Sequence, residues 1–273
     1  MLRRVFPLTR GRVVGFSFLV GLAIVSLMVV LPGNGAADTA SSKTITPTVI
    51  LVHGAFADGS SWSGVIQRLE RAGIRSVAVQ NPLTSLDDDV AVTKRAIAQA
   101  PGPVVLVGHS WAGMVITQAG DDPKVKALVY VAAFAPDKGE NVVAIEKRGP
   151  KGLGNPQIVK DDFNFLHLTS DSFVRDFAAD IPQEQARVLS AVQGPWAEKA
   201  LLQPVTYAAW ETKPSWDIVT EDDHMISPLL QETMAAHIKA HTLRIKSSHV
   251  VMISHPREVT AEIMNAVAYV KTH

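Results

Sequence analysis

The run Val104-Val105-Leu106-Val107-Gly108-His109-Ser110-Trp111-Ala112-Gly113 decides how this chain folds. Four consecutive apolar, mostly β-branched residues read as a buried strand, and the small residues behind them read as a tight turn that opens a helix. A serine at such a strand-to-helix corner is expected to have φ above zero, and its hydroxyl is presented to a substrate. Ser110 is therefore a candidate nucleophile. A hydroxyl is a weak nucleophile at its own pKa, so the reading requires a base, an acid to orient that base, and donors for an oxyanion elsewhere in the chain.

Outward from this run, short β-branched stretches alternate with helical patterns. Strands are expected at Thr48 to Val52, Ile74 to Val79 and Ala127 to Ala133, and helices at Ser61 to Ala72, Asp87 to Ala100 and Trp111 to Gly120. The alternation predicts a mostly parallel sheet covered by helices on both faces. Between about Asp137 and Pro204 it breaks into Gly- and Pro-rich pieces with helical stretches, which predicts an inserted helical lid. It resumes with a strand at Ser215 to Val219, a helix at Pro228 to Ala240, a strand at Thr242 to Ile245 and a terminal helix from Pro256 to Val270. In open parallel sheets ligands bind at the carboxyl ends of the strands. That singles out the turns His53-Gly54-Ala55-Phe56, Ser110, Thr220-Glu221-Asp222-Asp223 and Ser247-Ser248-His249.

The N-terminus is of a different kind. Arg3, Arg4, Arg10 and Arg12 precede an apolar stretch from Val13 to Leu31, and small residues follow up to Ala37. This pattern predicts a signal peptide over residues 1–37, cut between Ala37 and Asp38, with export to the periplasm or the medium. Uncleaved, residues 13–31 would suffice for a membrane anchor. Arg3-Arg4-Val5-Phe6 also has the look of a twin-arginine signal. Residues 38–47 read as a flexible tether, and 48–273 as one domain of a size common for a single α/β unit.

Without residues 1–37 the chain carries 22 basic against 26 acidic residues. Such a mildly acidic domain argues against nucleic acid or an anionic membrane surface as partner. There is no cysteine in the 273 residues, which excludes disulfides, thiolate metal sites and a cysteine nucleophile. Oligomeric state is left open.

The base is expected at His249, at the end of the last strand, rather than at His255, which precedes Pro256 at a helix start. The orienting acid lies among Asp222, Asp223 and, more remotely, Glu221. Oxyanion donors are expected from the backbone N–H of the residue after the nucleophile, Trp111, and of Ala55 in the turn after the first strand. On this reading Trp111 matters for its amide before its ring.

These residues sit in longer runs that resemble the α/β-hydrolases, in particular small-ester hydrolases that open with the motif found here from His53 to Trp62. Val79-Gln80-Asn81-Pro82-Leu83, Leu128 to Pro136, Asp223-His224-Met225-Ile226-Ser227-Pro228 and Ser248 to Met252 extend the resemblance across about Thr48 to Val270. It implies a Ser, Asp, His order, and the ungapped Asp-x-Met-Ile-x-Pro match implies Asp223 as the acid. Plant methyl-esterases and hydroxynitrile lyases share the layout, so the resemblance does not fix the reaction. One departure stands out: the last glycine of Gly-x-Ser-x-Gly is replaced by Ala112, with Gly113 one place later.

Several residues read as structural. His237 and His241 have a helical metal-pair spacing but no third ligand nearby, so a solvated helix face is expected. His109 and His224 read as packed or exposed structural histidines beside the site. Asp87-Asp88-Asp89 reads as charge at a helix start, capped by Ser85 or Asp87. Trp196, Trp210 and Trp216 read as packing, with aromatics of the insertion expected over the Ser110 turn.

The resulting expectation is a serine hydrolase that cleaves carboxylic esters of small molecules through Ser110, His249 and Asp223, without cofactor or metal. Lyase or cofactor-free peroxidase-type chemistry on the same residues is the alternative, although Val250 occupies the place where a lysine beside the base would stand. A ligand-binding protein with vestigial residues is a further alternative. Haloalkane dehalogenase and epoxide hydrolase chemistry need an aspartate where Ser110 stands.

Overall fold

The computed structural model describes residues 45–150 and 152–273. The expected signal peptide or anchor (1–37), and the tether up to residue 44, lie outside the described residues. Pro47 is already buried and leads straight into the first strand.

Six strands form one parallel sheet: β1 (Thr48–Val52), β2 (Ser76–Val79), β3 (Val104–His109), β4 (Val125–Val131), β8 (Ser215–Thr220) and β9 (His241–Ile245), in the order β2-β1-β3-β4-β8-β9. The intervening strands, β5 (Ile158–Lys160), β6 (Phe165–Leu168) and β7 (Trp196–Ala197), form a separate antiparallel sheet. The insertion carries this small sheet in addition to the helical pieces expected of it. Its strands are two to four residues long, too short for a two-residue period to register.

Every residue of β1 and β3 is buried. Burying each Val, Leu or Ile side chain contributes about 1.5–3 kcal/mol, so these central strands anchor the domain. Helices α1 (Ser63–Arg71) and Pro256–Thr272 pack on each other, as do α2 (Leu86–Gln99) and α3 (Ala112–Ala119), and these two pairs flank the sheet. Ser85 caps α2 by accepting the amide of Asp88 at 3.1 Å, so Asp87 is not the cap. Asp87 and Asp88 occupy the first turn, where the helix dipole favours them.

Chain order reverses between β1 and β3: β2 lies on one side of β1 and β3 on the other. Such a switch point leaves a crevice outside the carboxyl ends of the two strands. Here the register sets Val52 beside Gly108, so the turn after β1 and the Ser110 turn open into the same crevice.

Ser110 has φ +55°, as the strand-to-helix corner requires. A left-handed non-glycine residue costs on the order of 1–2 kcal/mol. Two bonds hold it there: the Ser110 carbonyl accepts from Gly113 N at 2.9 Å and from Phe134 N at 3.2 Å. Ala112 is fully buried, and its carbonyl lies close against Gly108. Gly113 tolerates no side chain, since a Cβ there would lie 1.9 Å from the Phe134 carbonyl oxygen.

Candidate active site

Three turns from β3, β8 and β9 bring Ser110, Asp223 and His249 together. His249 Nε2 lies 2.8 Å from Ser110 Oγ, and His249 Nδ1 lies 2.8 Å from Asp223 Oδ2. All three are buried, with Ser110 the most accessible at 8 %. Asp222 and Glu221 are exposed and turned to solvent, which selects Asp223 from the acidic turn.

Asp223 is held as an ionised acceptor. Its Oδ1 accepts the amides of Met225 at 2.7 Å and Ile226 at 3.0 Å. Its Oδ2 accepts Thr220 Oγ1 and Gln231 Nε2, both at 2.8 Å, besides His249. Burial pushes its pKa up, but His249 and the two amides outweigh that and leave it below the usual carboxylate range. An ionised carboxylate on Nδ1 fixes the tautomer that leaves Nε2 free to take the serine proton.

The loop carrying His249 is tied down from two sides. His109, fully buried, donates from Nε2 to the His249 carbonyl at 2.9 Å. Burial, and then His249, drive the His109 pKa down to about 3, so it stays a neutral donor. Asp180, from the insertion, accepts Ser247 Oγ at 2.7 Å and the Ser248 amide at 3.0 Å, just ahead of His249. Phe177, in a π-helical turn of the insertion (Phe173–Phe177), packs edge-on to His249 at 5.1 Å between ring centres. His255 bonds Ser254 at 2.9 Å and begins the terminal helix, away from Ser110.

The turn after β1 is fixed by His53. Asn81 N–H donates to His53 Nε2 at 2.9 Å, so the ring proton sits on Nδ1 and is donated to the Gly54 carbonyl at 2.8 Å. In a trans peptide the C=O and N–H point in opposite directions. Holding Gly54 O therefore aims Ala55 N–H the other way. Gly54 must lack a side chain, since a Cβ would meet Ser110 Cβ at 2.8 Å and His109 O at 2.9 Å. Among the described residues neither Ala55 N nor Trp111 N donates a hydrogen bond, and both residues line the cavity at Ser110.

The Trp111 ring has a role that the sequence reading passed over. Its Nε1 donates to Asp89 Oδ2 at 2.8 Å, while Asp89 Oδ1 accepts Leu83 N at 2.9 Å. Asp89 is thus not surface charge at a helix start but a fully buried acid, with burial pushing its pKa up to about 6 against those two donors. A signal was present: Leu86, Asp89, Val90, Thr93 and Ile97 follow helical spacing, which places Asp89 on the apolar face.

The cavity at Ser110 encloses ≈ 150 Å³ between Ala55, Trp111, Phe134, Trp196, Met225 and His249. Trp196 of the insertion packs on Trp111 at 5.1 Å and on Phe56 at 5.9 Å, so an aromatic of the insertion does lie over the nucleophile turn. Trp210 instead donates to Pro136 O, and Trp216 packs against His241 and Tyr269. His237 ends the helix Pro228–His237 and bonds Asp137 at 2.8 Å, whereas His241 begins β9, so the two do not share a helix face.

A serine, an imidazole and an ionised carboxylate in this relay can carry nucleophilic acyl transfer, with unspent amides available to an oxyanion. Residues 49–263 match the Alpha/beta hydrolase family. The chain belongs to that family. Among relatives of this alpha/beta hydrolase, "Alpha/beta hydrolase nvfD" of Aspergillus novofumigatus is 26% identical over 246 residues, covering 81% of this chain and 97% of that one. "Methylesterase 18" of Arabidopsis thaliana is 28% identical over 255 residues, covering 80% and 95%. The crystal structure of polyneuridine aldehyde esterase superposes with a TM-score of 0.70 at 19% identity, covering 81% of this chain and 99% of that one. At that identity the likeness speaks for the fold, and the alpha/beta hydrolase sheet is the feature in common.

Proposed function

We propose that this protein is a serine hydrolase that cleaves carboxylic esters of small molecules. The observation that carries the reading is the hydrogen-bonded relay from Ser110 Oγ through His249 to an Asp223 held ionised by Met225 and Ile226. Ser110 Oγ attacks the ester carbonyl while His249 Nε2 takes its proton. The tetrahedral oxyanion accepts the N–H groups of Ala55 and Trp111. His249 then protonates the departing alcohol, and water, deprotonated by the same imidazole, releases the acid from the acyl-enzyme. Asp223 stays ionised and holds the ring. The likeness to Methylesterase 18 supports ester cleavage as the reaction class.

The cavity sets a size. At ≈ 150 Å³ it suits a group of about benzene volume. Short-chain esters are the expected substrates, with turnover falling once the acyl part exceeds about six heavy atoms. The test is turnover of aryl esters of graded acyl length by the wild type, Ser110→Ala and His249→Gln. Loss of about 10³-fold or more in kcat in both variants supports the reading, because such residues act as a unit. Wild-type turnover in either variant refutes it. The reading includes export with cleavage after Ala37, so Asp38 is the expected first residue of the mature protein.

A further inference from the structure

The two amides that meet the oxyanion on the reading above, those of Ala55 and Trp111, lie on separate turns, and one buried carboxylate stands behind both. Asp89, in the first turn of α2, has no exposed surface and does not line the cavity at Ser110. Its Oδ2 accepts Trp111 Nε1 at 2.8 Å and its Oδ1 accepts Leu83 N at 2.9 Å. Burial pushes its pKa up to about 6, which leaves it ionised above neutral pH with both oxygens accepting.

One arm ends on the nucleophile corner. Ser110 sits at φ +55°, and a strained backbone persists only where its surroundings over-determine it. The Trp111 amide leaves this corner directly. Its ring is pinned at the far end by Asp89 and packed by Trp196 at 5.1 Å between ring centres. The 110–111 peptide therefore cannot turn without moving a buried indole. The other arm runs through Asn81-Pro82-Leu83. Leu83 is itself left-handed, at φ +58°, and Pro82 before it has a fixed φ, so the bond to Leu83 sets where Asn81 lies. Asn81 N–H donates to His53 Nε2 at 2.9 Å and Asn81 Nδ2 to the His53 carbonyl at 2.8 Å. His53 in turn holds Gly54 O, on the peptide that carries the Ala55 N–H.

We propose that Asp89 is a positioning residue that braces both oxyanion donors from behind, Trp111 through its indole and Ala55 through Leu83, Asn81 and His53. The proposal rests on the ester-hydrolase reading above. Asp89 touches no substrate; it keeps two amides aimed before the charge develops.

Asp89→Asn keeps the shape but replaces one acceptor by an NH2 group, which must then face one of the two N–H donors. The experiment measures kcat and KM on a short aryl ester, and Ki for a trifluoromethyl ketone, whose adduct with a serine hydroxyl carries an oxyanion. Rates are taken per site titrated with an active-site phosphonate, so unfolded molecules drop out. In Asp89→Asn kcat should fall about tenfold or more with KM little changed, and the ketone Ki should rise by the factor that kcat/KM falls. Trp111→Phe removes one donor, so in that background the NH2 group meets no N–H and Asp89→Asn should cost several-fold less than in the wild type. A kcat within about twofold of wild type in Asp89→Asn, a fall in kcat with ketone binding unchanged, or an equal cost in both backgrounds overturns the brace while leaving the hydrolase reading intact. If Asp89→Asn yields no titratable sites, Trp111→Phe carries the test: a smaller parallel change in kcat and Ki is expected, and an unchanged kcat overturns the brace. A wild type that hydrolyses no ester overturns both readings.

Discussion

Replacing His53 by Phe tests whether the turn after β1 is held for an oxyanion. A planar aromatic ring is retained, slightly larger than the imidazole, but both ring nitrogens are lost. Gly54 O then loses its donor at 2.8 Å and Asn81 N–H its acceptor at 2.9 Å, in a buried environment. Each stranded group costs about 1–3 kcal/mol of stability, and a domain of this size loses about 2–4 °C in Tm per kcal/mol. The catalytic effect is separate. With Gly54 O released, the 54–55 peptide is free to rotate and Ala55 N–H no longer points reliably at the cavity. Removing one oxyanion donor lowers kcat by about 10²–10³-fold, or about 2.7–4 kcal/mol of barrier. The assay is kcat and KM on a short aryl ester well below the lowered Tm, with folding checked by circular dichroism. The expected result is a large fall in kcat with KM little changed. A folded His53→Phe protein whose kcat stays within about twofold of wild type would refute the oxyanion role of this turn.

Other perturbations read different parts of the fold. Asp223→Asn keeps the shape but removes the charge on His249 Nδ1, and kcat should drop by about 10⁴-fold with little loss of Tm. Gly113→Ala drives a Cβ to 1.9 Å from Phe134 O, so soluble folded protein should be lost on expression. Asp217 is buried in β8 with neither oxygen bonded, and burial, then Glu232, push its pKa well above the usual value. Between the ordinary carboxylate pKa and that raised value, the unfolded chain has released the proton and the folded chain still holds it, so stability falls as pH rises through this window. Asp217→Asn cannot ionise. It should therefore raise stability at neutral pH, by about 1.4 kcal/mol for each tenfold in the ionisation constant and read as a higher Tm, with no such benefit below the ordinary carboxylate pKa.

The sheet and the nucleophile corner were legible because their signals are local. The apolar run before Ser110 fixed β3, and the chain order of the turns at 53–56, 110, 220–223 and 247–249 placed them on one sheet edge. What could not be read depends on contacts between distant residues. Asp180 and Ser248 are 68 positions apart, and no pattern in either stretch points to the other. Asp89 was hidden in an acidic run whose first two members are ordinary first-turn charge. The antiparallel sheet of the insertion escaped because strands of two to four residues are held by their partners rather than by their own periodicity.

The central claim is that Ser110 is the nucleophile, and labelling with an active-site phosphonate tests it most directly. Intact-mass measurement followed by peptide mapping should show a single adduct on Ser110 of the wild type, slowed in His249→Gln and absent in Ser110→Ala. An adduct on any other residue, or none on a wild-type protein that turns over esters, would contradict the account.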